Sequence, residues 1–199
     1  MATGSFKKDH LHLNSMASFH YEIKVPKDRI AVLIGKNGET KKEIEETTHS
    51  KINIDSGEGD VVVQGTDPLM LFSTKNIIKA IARGFNPDVA MRLLNSDYMF
   101  ELLDIKDYAK RQDHIPRLKG RVIGKEGKTR NIIEELTDCN ICVYGRTIGI
   151  IGVAEKVPIA RKAAESLLVG SPHATVYKWL EKQKKKFVEE NILSRNETD

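Results

Sequence analysis

The feature that most limits what this chain can fold into is a repeat. Ile34-Gly35-Lys36-Asn37-Gly38 returns 89 residues later as Ile123-Gly124-Lys125-Glu126-Gly127. At the same shift Thr40 matches Thr129, Ile44 matches Ile133, Glu45-Glu46 matches Glu134-Glu135, Thr48 matches Thr137 and Ile52 matches Ile141. A period this long means two copies of a domain, not a solenoid of short units. In a chain of 199 residues each copy has a modest core, so the two are expected to pack on each other.

Each copy centres on a G-x-x-G loop. Two glycines around two polar residues let another backbone come close without Cβ interference. The helix that follows points its unpaired N–H groups and positive dipole end at the loop, which makes a seat for a phosphate. The tetrapeptide alone is a weak signal; its flanks strengthen it. Around Gly124, Lys125, Glu126 and Gly127 stand Arg117, Lys119, Arg121, Lys128 and Arg130, over an apolar floor of Val122, Ile123, Ile132 and Ile133. Around Gly35, Lys36, Asn37 and Gly38 stand Lys27, Arg29, Lys41 and Lys42, offset by Asp28, Glu39 and Glu43. Each phosphate neutralised on a single strand adds about 0.7 to the salt slope, so the second copy is expected to dominate binding of a polyanion.

Charge is distributed accordingly. Residues 16–114 carry 14 Lys/Arg against 16 Asp/Glu, a net −2, whereas residues 115–199 carry 16 against 11, a net +5. A basic half is the footprint of a polyanionic partner.

The element order can be read from periodicity and punctuation. Phe19 to Val25 alternates as a strand, Asp28 is placed to cap a helix from Arg29 to Ile34, and a second helix runs from Glu39 to Thr48. Strands at Lys51–Asp55 and Asp60–Gln64 follow, then a helix capped by Asp67-Pro68 and ending near Arg83. A helix from Val89 to Asn95 reads as inter-domain packing. The second copy repeats the order from a strand at Met99–Ile105, through a polar lead-in at 107–114, strands at Asn140–Tyr144 and Thr147–Ile151, and a helix from Lys156 to Val169. A last helix, Pro172 to Glu190, repeats Val176, Trp179, Leu180, Gln183 and Phe187 on one side. Its Lys182, Lys184, Lys185 and Lys186 are expected in solvent, with an extension of the nucleic-acid track as the alternative.

Strand, helix, helix, strand, strand, helix is the βααββα order of a type I KH domain, and each copy resembles one. The fold class expected is α+β: two tandem type I KH domains, each a three-stranded antiparallel sheet packed on helices, plus a C-terminal helix. The domains are read as 16–84 and 99–170, joined by 85–98 and followed by 171–199. Residues 1–15 are read as a tag or disordered leader.

The string Gly120 to Arg130, the connector Gly84 to Leu94 and the tail after Gly170-Ser171-Pro172-His173 together resemble one family more closely. It is the archaeal form of the partner-of-Nob-one (Dim-two) family of small-subunit assembly factors. Both loops keep G-x-x-G, whereas eukaryotic relatives have lost it in the first copy.

The resemblance implies a KH groove between the first helix and loop on one side and the second helix and second strand on the other. In the second copy that nominates Arg117, Leu118, Arg121, Val122, Ile123, Ile133, Ile141, Cys142 and Val143. In the first it nominates Ile30, Ala31, Leu33, Ile34, Lys41, Ile52, Asn53 and Ile54. Base edges read against strand backbone imply an unpaired strand. The ligand implied is single-stranded RNA near the 3′ end of small-subunit ribosomal RNA. The partners implied are the endonuclease that trims that end, the dimethyladenosine transferase and the alpha subunit of translation initiation factor two. A KH protein-docking adapter, and a general transcript- or single-stranded-DNA-binding KH protein, stay open as alternatives.

Other chemistries fail on spacing. Gly124 to Thr129 ends like a phosphate-binding P-loop, but that motif needs a glycine where Val122 stands. Cys139 and Cys142 form a C-x-x-C with no second pair, on a strand that turns them to opposite faces, so they read as reduced structural thiols. Carboxylates lie in helical Glu-Glu runs without a Ser or His constellation. No cofactor, metal or small-molecule substrate is expected, nor enzymatic activity, a membrane span or a signal peptide; the expected setting is cytoplasmic.

Overall fold

The computed structural model describes residues 19–196, and side chains through residue 190. The leader, residues 1–15, lies outside the described residues.

The first copy runs β1 (Phe19–Lys24), α1 (Lys27–Ile34), α2 (Glu39–Thr48), β2 (Lys51–Asp55), β3 (Asp60–Gly65) and α3 (Pro68–Ala82). The second runs β4 (Tyr98–Asp104), α5 (Ile115–Ile123), α6 (Lys128–Thr137), β5 (Asn140–Tyr144), β6 (Thr147–Val153) and α7 (Val157–Val169). Between them sits α4 (Pro87–Ala90), and α8 (His173–Asn196) closes the chain. Each copy has one antiparallel sheet, ordered β1-β3-β2 and β4-β6-β5, with helices on one face. The expected α+β architecture of two type I KH domains and a C-terminal helix is what the chain adopts.

The sheets differ in their second faces. In the first, alternation is clean: Ile23, Ile52, Val61 and Val63 are buried against α1–α3, while His20, Glu22, Lys24, Asn53 and Gln64 face outward, exposed. In the second, Ile148 and Ile150 face the helices of their own copy, but Ile151, Phe100, Tyr98 and Cys142 pack into the core of the first. The two copies therefore meet with the back of the second sheet lying on the end of α3 and the connector. Phe85 comes so close to the β6 backbone that a Cβ on Gly149 would sit 2.5 Å from its ring, and it meets Phe100 edge-on at 6.0 Å.

Several local expectations change. Asp28 does not cap α1, which starts at Lys27 behind Pro26 with no side-chain cap. Its carboxylate instead accepts a 2.6 Å hydrogen bond from Tyr144 Oη of the second copy, because the docked sheet brings the end of β5 to that helix. The connector is one α turn, α4, followed by a 3₁₀ turn at Met91–Leu94 rather than a helix from Val89 to Asn95. Ala90 and Leu93, three apart, are both buried, which suits winding at three residues per turn. The polar lead-in folds as 3₁₀ turns at Ile105–Tyr108 and Gln112–His114. Strand β6 continues past Ile151 to Val153 to match Tyr98. Helix α8 begins at His173 and buries Val176 and Leu180 on the second core, with Trp179 half-buried beside them.

Candidate nucleic-acid interface

The two loops have one shape. Gly35 and Gly124 end their helices at φ/ψ of 78°/175° and 74°/176°. Asn37 and Glu126 are left-handed at 55°/23° and 53°/29°, and Gly38 and Gly127 follow at 84°/7° and 80°/4°. The reason lies in Thr40 and Thr129, which fold under the loops. A Cβ on Gly35 would lie 2.3 Å from Thr40 Oγ1, and one on Gly124 would lie 2.3 Å from Thr129 Oγ1. The second glycine of each loop opens outward instead: nothing lies within 4 Å of a Cβ on Gly38, and only side-chain tips approach one on Gly127. Gly127 is the N-cap of α6 with no side-chain cap; its own N–H donates to the Gly124 carbonyl at 3.3 Å and that of Lys128 to the Lys125 carbonyl, so the loop closes on itself and offers the positive dipole end of α6 to a ligand.

The rest of the repeat anchors this shape. Glu45 Oε1 and Glu134 Oε1 each accept the first internal N–H of the neighbouring edge strand, from Ile52 and Ile141, both at 2.6 Å. Thr48 and Thr137 each close α2 and α6 by donating to the carbonyl four residues back, at 2.7 Å.

The cations fall into three groups. Arg29 and Arg121 are tied down. Arg29 donates to the carbonyls of Ile81 at 2.8 Å and Phe85 at 2.7 Å; Arg121 donates to those of Leu167 at 2.8 Å and Ser171 at 2.7 Å. Each fork ties a carbonyl in the last turn of its copy's last helix to one just beyond that helix, a structural duty that takes both guanidinium groups away from a ligand. Lys41 and Arg130 are partly committed, to the strand-anchoring Glu45 at 3.9 Å and Glu134 at 3.6 Å. Lys119, Lys125, Lys128 and Arg117 have no ion-pair partner among the described residues, against Lys27 and Lys36 in the first copy.

Some groove nominations are core. Val122 is 0% exposed and supports the loop from below. Leu118, Ile133 and Ile141, with Ile30, Leu33 and Ile52 in the first copy, are likewise buried. Ile123, Val143, Ile34 and Ile54 are half-buried, and Ala31 and Asn53 are exposed. Cys142 leaves the groove altogether, turned toward the first copy, while Cys139 sits in the second core; both are free thiols. Burial pushes both thiols up from the ordinary value.

Helix α5 divides its basic side chains between two flanks. At 3.6 residues per turn, Lys119 and Ile123 fall on one side of the buried Leu118–Val122 line, and Arg117 and Arg121 on the other. The second flank faces the end of α7 and the start of α8, where His173 Nε2 meets the Arg121 carbonyl at 2.9 Å. Thr129 Oγ1 and Tyr177 Oη share a 2.9 Å hydrogen bond there. The sequence reading missed His173 and Tyr177; the only signal was the helix cap at Ser171-Pro172. On α8, Lys184 donates to the Glu135 carbonyl at 3.1 Å, and Lys186 pairs with Glu190 at 3.5 Å.

Among the described residues no three His, Cys, Asp or Glu side chains gather as a metal site. No helix among them is long and apolar enough to cross a membrane.

Two βααββα units, each with a G-x-x-G turn between its first two helices, define a tandem KH-domain protein. Family models agree: residues 20–82 match the KH domain, and residues 99–185 match the eukaryotic-type, type I KH domain of the second unit of PNO1. The KH domain-containing protein MJ0443 of Methanocaldococcus jannaschii is 49% identical over 168 residues, covering 82% of this chain and 74% of that protein. The structure of an a/eIF2alpha–aDim2p–rRNA complex from Pyrococcus horikoshii contains a chain 45% identical, with a TM-score of 0.81, covering 86% of this chain and 97% of that one. The pre-rRNA-processing protein PNO1 of Kluyveromyces lactis is 39% identical over 114 residues, 56% of this chain but only 42% of the yeast protein. The chain belongs to the Dim2p/PNO1 family of KH-domain proteins, and its longest matches among these are archaeal.

Proposed function

We propose that the protein is a non-enzymatic, single-stranded RNA-binding factor of ribosomal-RNA processing that grips the 3′ end region of small-subunit RNA, mainly through its second loop. The observation that carries this is the Gly124–Gly127 turn at the N-terminus of α6, with Lys119, Lys125 and Lys128 around it, none of them ion-paired among the described residues. The positive end of the α6 dipole and the lysines together suit a phosphodiester, and the half-buried Ile123 and Val143 offer apolar surface to bases. The related archaeal chain in complex with rRNA and a/eIF2alpha supports both an RNA ligand and the alpha subunit of initiation factor two as a partner. On the same reading the 3′-end endonuclease and the dimethyladenosine transferase work beside it.

The first copy, with an identical turn but fewer unpaired cations, adds modestly to RNA affinity. Its α3 bears Leu69, 78% exposed, and Phe72, 53% exposed, which favours a protein-docking role for that copy.

The test is fluorescence anisotropy with a labelled oligonucleotide of the mature small-subunit RNA 3′ end. Lys125→Asp with Glu126→Asp should abolish most binding, and Lys36→Asp with Asn37→Asp should weaken it slightly. Equal losses would refute the dominance of the second copy. Feeble, equal binding by all three proteins would make both folds docking surfaces.

A further inference from the structure

The flank of α5 that faces α7 and α8 lies outside the KH groove and has a basic lining of its own. Two adjoining hollows share Arg117 and Arg121 there. One, of about 400 Å³, runs between the loop and α8, past Gly124, Lys125, Lys128, His173 and Tyr177. The other, of about 590 Å³, continues to Lys110 and His114 beside the end of α7, where Val169 stands 71% exposed. Among the described residues no carboxylate lines either one. Asp113, the nearest acid in sequence to His114, pairs with Arg111 at 3.3 Å.

We propose that this cleft is a second stretch of the RNA path, carrying the same strand beyond the loop. Phosphates leaving the Gly124–Gly127 seat pass between α5 and α8 onto Arg117 and Lys110. His173 and Tyr177, edge-on at 6.1 Å, form an aromatic bank for an unstacked base. An isolated anion would call for a closed cluster of donors; this lining is open along its length and continuous with the loop, which suits a strand. The first copy is followed by the four-residue α4 instead of a long helix, so among the described residues no helix equivalent to α8 stands beside its loop. The proposal rests on the RNA-binding reading above.

The experiment compares an RNA of about four nucleotides, the footprint of one G-x-x-G groove, with one of about ten. Wild type, the Lys125→Asp/Glu126→Asp loop variant and a Lys110→Ala/Arg117→Ala cleft variant are titrated at several salt concentrations. Both cleft positions are exposed, and equal thermal midpoints check the fold. The loop variant should lose both RNAs. The cleft variant should bind the short RNA as wild type does and the long one more weakly. Its salt slope for the long RNA should fall by about 1.4, so a fourfold rise in salt costs wild type about sevenfold more affinity than the variant. Arg117→Lys, which keeps the charge, should retain most long-RNA binding. A cleft variant with wild-type affinity and slope on the long RNA overturns the proposal alone, as does one that loses both lengths equally. Failure of wild type to bind either RNA overturns the RNA reading and this proposal with it.

Discussion

Replacing the two glycines of the second loop by alanine, one at a time, should separate folding from ligand contact. At Gly124 alanine would have to hold φ 74° and ψ 176°, a region nearly reserved for glycine and worth about 1–3 kcal/mol against any other residue. Its methyl would also sit 2.3 Å from Thr129 Oγ1 and 2.7 Å from Thr129 N. Thr129 cannot swing aside freely, because its hydroxyl is held at 2.9 Å by Tyr177 and its side chain is buried. Overpacking of this kind costs a further ~1–3 kcal/mol. The total, about 2–6 kcal/mol, is a large part of the roughly 5–15 kcal/mol that holds a typical protein folded. At Gly127 the left-handed backbone costs alanine about 1–2 kcal/mol, and the methyl meets nothing closer than 3.7 Å. Urea unfolding, followed by the single Trp179 and by circular dichroism, reads the difference. With a slope of about 2 kcal/mol per molar, Gly124→Ala should lower the midpoint by roughly 1–3 M and Gly127→Ala by less than about 1 M. Gly127→Ala should still cost about tenfold in short-RNA affinity, the equivalent of one lost charge-assisted hydrogen bond of roughly 1.5 kcal/mol. Equal midpoints for the two variants, or a Gly124→Ala protein as stable as wild type, would refute the reasoning.

Arg121→Ala should destabilise the protein by about 2 kcal/mol through its two lost carbonyl contacts, leave four-nucleotide binding unchanged, and be poorly rescued by lysine, which lacks the fork; a loss of affinity without loss of stability would contradict this. Tyr144→Phe should cost about 0.5–1 kcal/mol near neutral pH, since the bond to Asp28 is exposed. That bond, and then burial, raise the Tyr144 hydroxyl above 10.0, so its contribution is complete below that pH and is lost as pH rises through the folded value. Thermal melts between about pH 7 and pH 11 should show a shallower alkaline decline in the variant; parallel declines would argue against the linkage. Cys139 and Cys142, both raised by burial, should alkylate slowly in the native protein and fully in urea, and rapid native labelling of Cys142 alone would show that the docked sheet opens.

Much of this was legible because the repeat marks the residues that set the loop. Three matched pairs have a local job: Thr40 and Thr129 fold under the turn, Glu45 and Glu134 hold the edge strand, Thr48 and Thr137 close the helix. Local geometry of that kind follows from spacing. What sequence could not assign was which cations remain free, because the carbonyls that occupy Arg29 and Arg121 come from residues some fifty positions away. A flanking arginine looks the same whether it holds a helix end or waits for phosphate. The docking of the copies had left a trace: Thr147–Val153 is buried almost throughout, where β1 alternates, the mark of a strand covered on both faces. Reading it as an ordinary third strand ended it two residues early.

The buried back of the second sheet also turns the molecule into a ruler. Two domains on a flexible tether search for successive sites at an effective concentration that falls off with linker length, and tolerate a range of separations. Here the connector is packed into the first core through Phe85, Ala90 and Leu93, so the distance and angle between the two G-x-x-G turns are fixed by the interface. A strand that touches both must present its contacts at one spacing. Nucleotides inserted between those contacts would have to loop out, and the gain from the second grip would vanish abruptly instead of fading.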